Sequence, residues 1–164
     1  MTACATSLSK PARRWEHAGV NRGVPITGSL AGIRYDESEW PFVLITLPPR
    51  ETSQEEFRES LQRMDEYGAR GGDFGFVIDT RGAPDPDANR RREIAEYWDD
   101  CQRRFDGSFI GAAIVISSST GRAIYKAILW LRQGRKPLVP VATPEEGLAQ
   151  LRRLVPTPSS GDER

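Results

Sequence analysis

Between residues 42 and 154 the sequence changes period repeatedly, as short apolar runs alternate with longer segments whose apolar residues recur every three or four positions. No other feature constrains the fold as much. Parallel strands cannot be closed by tight turns and need crossover connections, which helices supply, so the pattern predicts an α/β domain with a small mixed sheet and crossover helices. Residues 26–35 and 42–47 read as two strands separated by the polar Asp36-Glu37-Ser38-Glu39, an N-terminal hairpin leading into the sheet. Pro48 and Pro49 end the second strand, since neither can donate to a ladder. Residues 74–78 suit a buried strand. Residues 110–116 are the most hydrophobic run in the chain and suit a strand buried on both faces near the middle of the sheet. Residues 138–142 form the last strand, which Pro140 demotes to an edge.

The helical segments carry their own start signals. Ser53 and Glu56 make a capping box, followed by Phe57, Leu61, Met64 and Tyr67 on one face, with Gly68 placed to end the helix. Asp85-Pro86-Asp87 opens a second helix with the stripe Ile94, Tyr97, Trp98, Cys101 and Phe105. A third carries Ile124, Ala127, Ile128 and Leu131 as its buried stripe. The fourth opens at Thr143-Pro144-Glu145-Glu146 and buries Leu148, Leu151 and Val155.

A length of 164 residues fits one domain with tails, which divides into a flexible arm at 1–23, an α/β domain at 24–155 and a disordered tail at 156–164. Lys plus Arg equals Asp plus Glu at 23 each, so nothing in the overall charge points to nucleic acid or an anionic membrane. Two cysteines, Cys4 and Cys101, form no Cys-x-x-Cys spacing, and no run approaches the ~20 apolar residues of a membrane span. The expected compartment is reducing and cytoplasmic.

Candidate chemistry concentrates beyond two strand ends. Ser117, Ser118, Ser119, Thr120 and Arg122 precede or open the third helix, where free amides, hydroxyls and a guanidinium can bind an anion. Ordinary capping by the same hydroxyls is the alternative. Asp79 and Arg81 end the neighbouring strand and could face that group across a shared rim. Equally, Asp79 can cap local amides while Arg81 pairs with Asp85 or Asp87. Cys101 falls on an apolar stripe and reads as a buried structural thiol. One histidine, His17, and two distant cysteines do not make a zinc site, and no cofactor is called for. Gly71, Gly72 and Gly75 precede a strand, where a dinucleotide fingerprint needs its glycines after one. Arg90, Arg91 and Arg92 sit among acids, with Arg92 and Glu96 spaced to pair. Trp130 lies beside the main stripe of its helix and is a candidate interface anchor.

The order of elements, with Phe76-Val77-Ile78-Asp79 followed by Thr80-Arg81-Gly82, the run Ala113-Ile114-Val115-Ile116-Ser117-Ser118, and the close at residues 138–146, resembles the STAS domain family, in its divergent STAS-like or SEC14-like bacterial branch. The resemblance spans residues 24–155 and implies a small sheet with helices on one face and a tendency to bind proteins or small ligands. In phosphoregulated members an Asp-Ser pair opens the helix after the Asp-bearing strand. Here that pair falls at Asp87-Ala88, with Asn89 next, so the acceptor hydroxyl is missing. Two function classes follow. The preferred one is a non-enzymatic regulatory or scaffolding module for a protein partner, with self-association left open. The other is a small anion-binding domain or minor enzyme using residues 117–122 with Asp79 and Arg81.

Overall fold

Short apolar runs form the strands, with Phe74–Asp79 and Phe109–Val115 buried on both faces, and amphipathic runs form the helices, in nearly the places the periodicity marks. The structure, a computed structural model, describes residues 28–155 apart from residue 31 and residues 132–135; the arm expected at 1–23 and the tail expected at 156–164 lie outside the described residues. The strands are β1 (Gly28–Leu30), β2 (Ile33–Asp36), β3 (Phe42–Thr46), β4 (Phe74–Asp79), β5 (Phe109–Val115) and β6 (Leu138–Val141). The helices are α1 (Gln54–Ala69), α2 (Ala88–Arg104), α3 (Ser119–Leu131) and α4 (Pro144–Arg152). The fold is α/β, as the sequence predicts.

The six strands lie in one mixed sheet in the order β1-β2-β3-β4-β5-β6. β1, β2 and β3 run antiparallel to their neighbours in turn, while β3 to β6 are parallel. The expected single strand over 26–35 is therefore two strands, because the chain reverses between Leu30 and Ile33, where Gly32 takes a φ of 79° open to a residue without a Cβ. Full burial of β5 matches its composition, but β5 is one strand in from the edge rather than at the middle. β6, with Pro140, is the edge.

Because α1, α2 and α3 each join adjacent parallel strands in the same direction, repeated right-handed crossovers place them on one face. That face holds Phe74, Phe76, Phe109 and Ile114 against Met64 and Tyr67 of α1 and Tyr97, Trp98 and Cys101 of α2, with Tyr125 of α3 beside them. Phe76 is fully buried, with ring centroids of Tyr67, Phe74, Trp98 and Phe109 at 6.0, 5.5, 6.2 and 6.2 Å. α4 lies on the opposite face, where Leu148, Leu151 and Val155 pack against Val77, Ala113, Val115 and Val141. This departs from the one-faced arrangement that the STAS-like resemblance implies. α4 follows the last strand and crosses to no further one, so no crossover rule holds it to the first face.

Two other local expectations change. Gly68 lies inside the last turn of α1, where a Cβ would come within 2.6 Å of the Phe105 ring, so it makes room for α2. Ile124 is 56% exposed and the next residue, Tyr125, turns inward instead, so the buried face of α3 is rotated from the one the spacing marks. The side chains of Ala127, Ile128 and Leu131 lie outside the described residues.

Candidate functional site

The carboxyl ends of β3, β4, β5 and β6 form a rim where the sequence places its candidate chemistry. β4 delivers Asp79 there in register with Thr46 of β3 and Val115 of β5. Strand alternation puts Asp79 on the same side as Val77, the face that α4 covers. It is 9% exposed. One carboxylate oxygen accepts the Arg81 backbone amide at 3.1 Å and Nε at 2.9 Å, and the other accepts Nη2 at 2.8 Å. The guanidinium beside it holds the Asp79 carboxyl below the ordinary carboxylate range, against the opposing effect of burial, and Arg34 adds a weaker pull in the same direction. Arg81 thus pairs with Asp79 rather than with Asp85 or Asp87, while Glu145 at the start of α4 adds to the field that keeps Arg81 charged.

Thr80 fastens this corner to the next strand. Its Oγ1 donates to the Val115 carbonyl at 2.7 Å, and its amide donates to the same oxygen at 3.3 Å. The Asp79 carbonyl in turn accepts the Leu47 amide at 3.0 Å, so three strand ends are stitched together. Thr80 and Glu145 were not singled out from sequence as site residues. A hydroxyl directly after an Asp at a strand end is the signal that could have found Thr80.

After β5, the group at residues 117–122 closes on itself. Ser118 Oγ accepts the Gly121 amide at 3.0 Å, the N-cap bond of α3. Arg122 Nη1 donates to the carbonyls of Ile116 at 2.7 Å and Ser117 at 2.8 Å, so the guanidinium covers the strand end instead of standing away from it. Ser117, Ser119 and Thr120 are exposed. Among the described residues no hydrogen bond or ion pair joins Asp79 or Arg81 to residues 117–122. The two groups are linked only through Thr80 and the β5 backbone. With α1, α2 and α3 on one face, the strand order also creates no reversal point at which a crevice would open between them.

The remaining candidates take structural places. Cys101 is 1% exposed, and burial pushes its thiol up to about 12, which leaves it protonated and unreactive at neutral pH. Asp87 caps α2 by accepting the Arg90 amide at 2.7 Å, and Ala88 begins that helix. Arg90 is the half-buried member of its triplet, with its guanidinium carbon 4.0 Å from the Phe57 ring centroid and Nε 3.8 Å from Glu93. Among the described residues no ion pair joins Arg92 to Glu96, whereas Arg90 and Glu93 turn toward α1. Trp130 belongs to α3, but its side chain lies outside the described residues, as does His17. Among the described residues, no group of His, Cys, Asp or Glu is placed to hold a metal ion, and no helix is long and apolar enough to cross a membrane. No protein-family model matches this chain, and no curated protein matches it.

Proposed function

We propose that this chain is a non-enzymatic regulatory or scaffolding module of the STAS-like kind, acting in the cytoplasm of a bacterium and binding a protein partner through the outer surface of α3. The observation that carries this reading is Ile124, 56% exposed on a helix composed largely of Ala, Ile, Leu, Tyr and Trp. Apolar side chains left in water on a helix are the surface that association removes, and Trp130, further along the same helix, is of the type enriched at interface anchors. A binding role is also supported by the chemistry of the rim. Asp79, Arg81, Ser118 and Arg122 use their polar atoms on one another or on backbone, and acid/base catalysis needs such a group free and aimed at substrate.

The test uses the full chain as bait in the native host with cross-linking and mass spectrometry, followed by calorimetry with the recovered partner. Ile124→Glu should abolish that affinity and Trp130→Ala should weaken it, both without loss of the folded circular-dichroism signal. Titration of phosphate, nucleotides and dicarboxylates is the opposing arm. Specific anion binding that Arg122→Ala weakens about tenfold or more would overturn the reading and give the function to residues 117–122.

A further inference from the structure

At the opposite side of the molecule from β6, the hairpin strand β1 and helix α1 leave between them a groove of about 360 Å³. At its base is Tyr35, 2% exposed, whose hydroxyl is buried and has no hydrogen-bond partner. Buried polar side-chain atoms are nearly always paired, and one that is not calls for a specific cause such as a ligand. Tyr35 is not loosely held. Its ring packs against Tyr67 at a centroid distance of 6.4 Å, within the main core.

The walls decide what could satisfy that hydroxyl. Arg63 is tied to Glu66 at 2.7 Å and lies over the Tyr67 ring at 5.6 Å, so those two charges offset each other. Glu59 and Gln62 line the groove, both are exposed, and neither makes a hydrogen bond or ion pair among the described residues. The net charge of the groove is therefore negative, and it offers acceptors at the Glu59 carboxylate, the Gln62 amide oxygen and the Tyr35 hydroxyl oxygen, beside the donors of the Gln62 amide and the Tyr35 hydroxyl. Leu30 and the Tyr35 ring add an apolar strip beside them. An anion would meet Glu59 and Glu66, whereas a cation bearing N–H donors would find acceptors at one end and a hydrophobic strip for its stem.

We propose that this groove binds a guanidinium or ammonium group carried on an apolar stem, with Glu59 neutralising the charge and Tyr35 completing the hydrogen bonds at the base. The group can come from a free small amine or from an arginine or lysine side chain. The surface is separate from α3, so the two proposals stand or fall independently.

The test is a titration of the isotope-labelled full chain followed by amide NMR, with n-butylguanidinium and n-butylammonium as free probes and a short end-blocked peptide centred on arginine as the side-chain probe. Saturable shifts are expected at Leu30, Tyr35, Glu59 and Gln62. Binding by the peptide alone assigns the site to a side chain, and binding by the free probes assigns it to a small molecule. Glu59→Gln should weaken affinity about threefold at low salt and by less at 1 M salt, where exposed charges are screened. Tyr35→Phe should weaken it about fivefold while leaving the unliganded protein at least as resistant to heat, since it deletes an unpaired hydroxyl. If Tyr35→Phe does not fold, the Glu59→Gln comparison decides alone. The proposal fails if no cationic probe shifts these amides, if n-butanol or butyrate does so equally, or if Glu59→Gln binds as wild type does.

Discussion

On the face covered by α1 and α2 the sheet presents Phe74, Phe76 and Phe109 to Tyr67 and Trp98, whereas on the face covered by α4 it presents Val77, Ala113, Val115 and Val141 to Leu151. The first face gains from bulk and from ring geometry, since each well-placed aromatic pair adds about 0.5–1.5 kcal/mol beyond its buried area. The second gains from nearness. A Cβ on Gly147 would lie 2.9 Å from the Ala113 Cβ and 3.1 Å from Val77, so α4 sits almost on the strands themselves. A helix of nine residues cannot cover a six-stranded sheet, and the area it leaves carries polar residues, with Arg34, Thr46 and Asp79 paired in register across β2, β3 and β4. Bulk closes one face completely, whereas close approach closes only part of the other. The closed aromatic face holds the domain together, and the lightly covered one leaves strand ends open to charge.

Alkali should separate the two faces most widely. Tyr35, Tyr67, Tyr97 and Cys101 all belong to the aromatic face, and burial raises every one of them, Tyr35 and Cys101 each to about 12. Unfolded, these groups titrate near ~10 for tyrosine and ~8.5 for cysteine. The folded values being higher, the stability involved is complete below the unfolded pKa and is lost as pH rises through the folded one. Denaturant midpoints should hold to about pH 8 and then fall steeply toward pH ~12. A level profile across that range would mean that water reaches these rings.

Truncations sharpen the contrast next. Phe76→Ala should cost about 3–5 kcal/mol and Leu151→Ala about 2–3 kcal/mol in equilibrium denaturation, because the thinner face has more freedom to collapse onto the gap. Equal losses would erase the distinction. Gly147→Ala should destabilise by ~1–3 kcal/mol through overpacking, although alanine ordinarily favours a helix. A neutral or stabilising result would show that α4 can lift from the sheet without penalty. Thr80→Val removes one hydrogen bond to the Val115 carbonyl and should cost about 1 kcal/mol.

The smallest effect belongs to acid. Asp79 is held below its ordinary pKa, so its contribution is present above ~4 and is lost as pH falls through the folded value. Comparing the acid limbs of wild type and Asp79→Asn isolates it. Superimposable limbs would show that the pair with Arg81 supplies nothing to stability.

Much of this architecture was legible because local signals agreed. The Ser53–Glu56 capping box forms as spaced, Thr143 caps α4 ahead of Pro144, and the apolar runs at β4 and β5 are buried strands. The placement of α4 was not legible, since an amphipathic helix after the last strand can close either face. Nor was the orientation of α3, where the adjacent apolar residues Ile124 and Tyr125 leave two faces open and the second is the one that packs on the core. At the rim, spacing correctly placed Asp79, Arg81 and residues 117–122 near strand ends. It could not foresee that the Arg122 guanidinium would bend back to the Ile116 and Ser117 carbonyls, a choice made by side-chain reach rather than by sequence period.

The order of strands across the sheet is their order along the chain. A polypeptide emerging from the ribosome can therefore add each strand to a neighbour already made, with no edge held in waiting for a distant segment, and contacts of short sequence separation favour rapid folding. Only the second face is delayed. Until residue 151 has emerged, Val77, Val115 and Val141 face solvent on a growing sheet, so synthesis passes through a stage in which one side of the domain is finished and the other is still sticky.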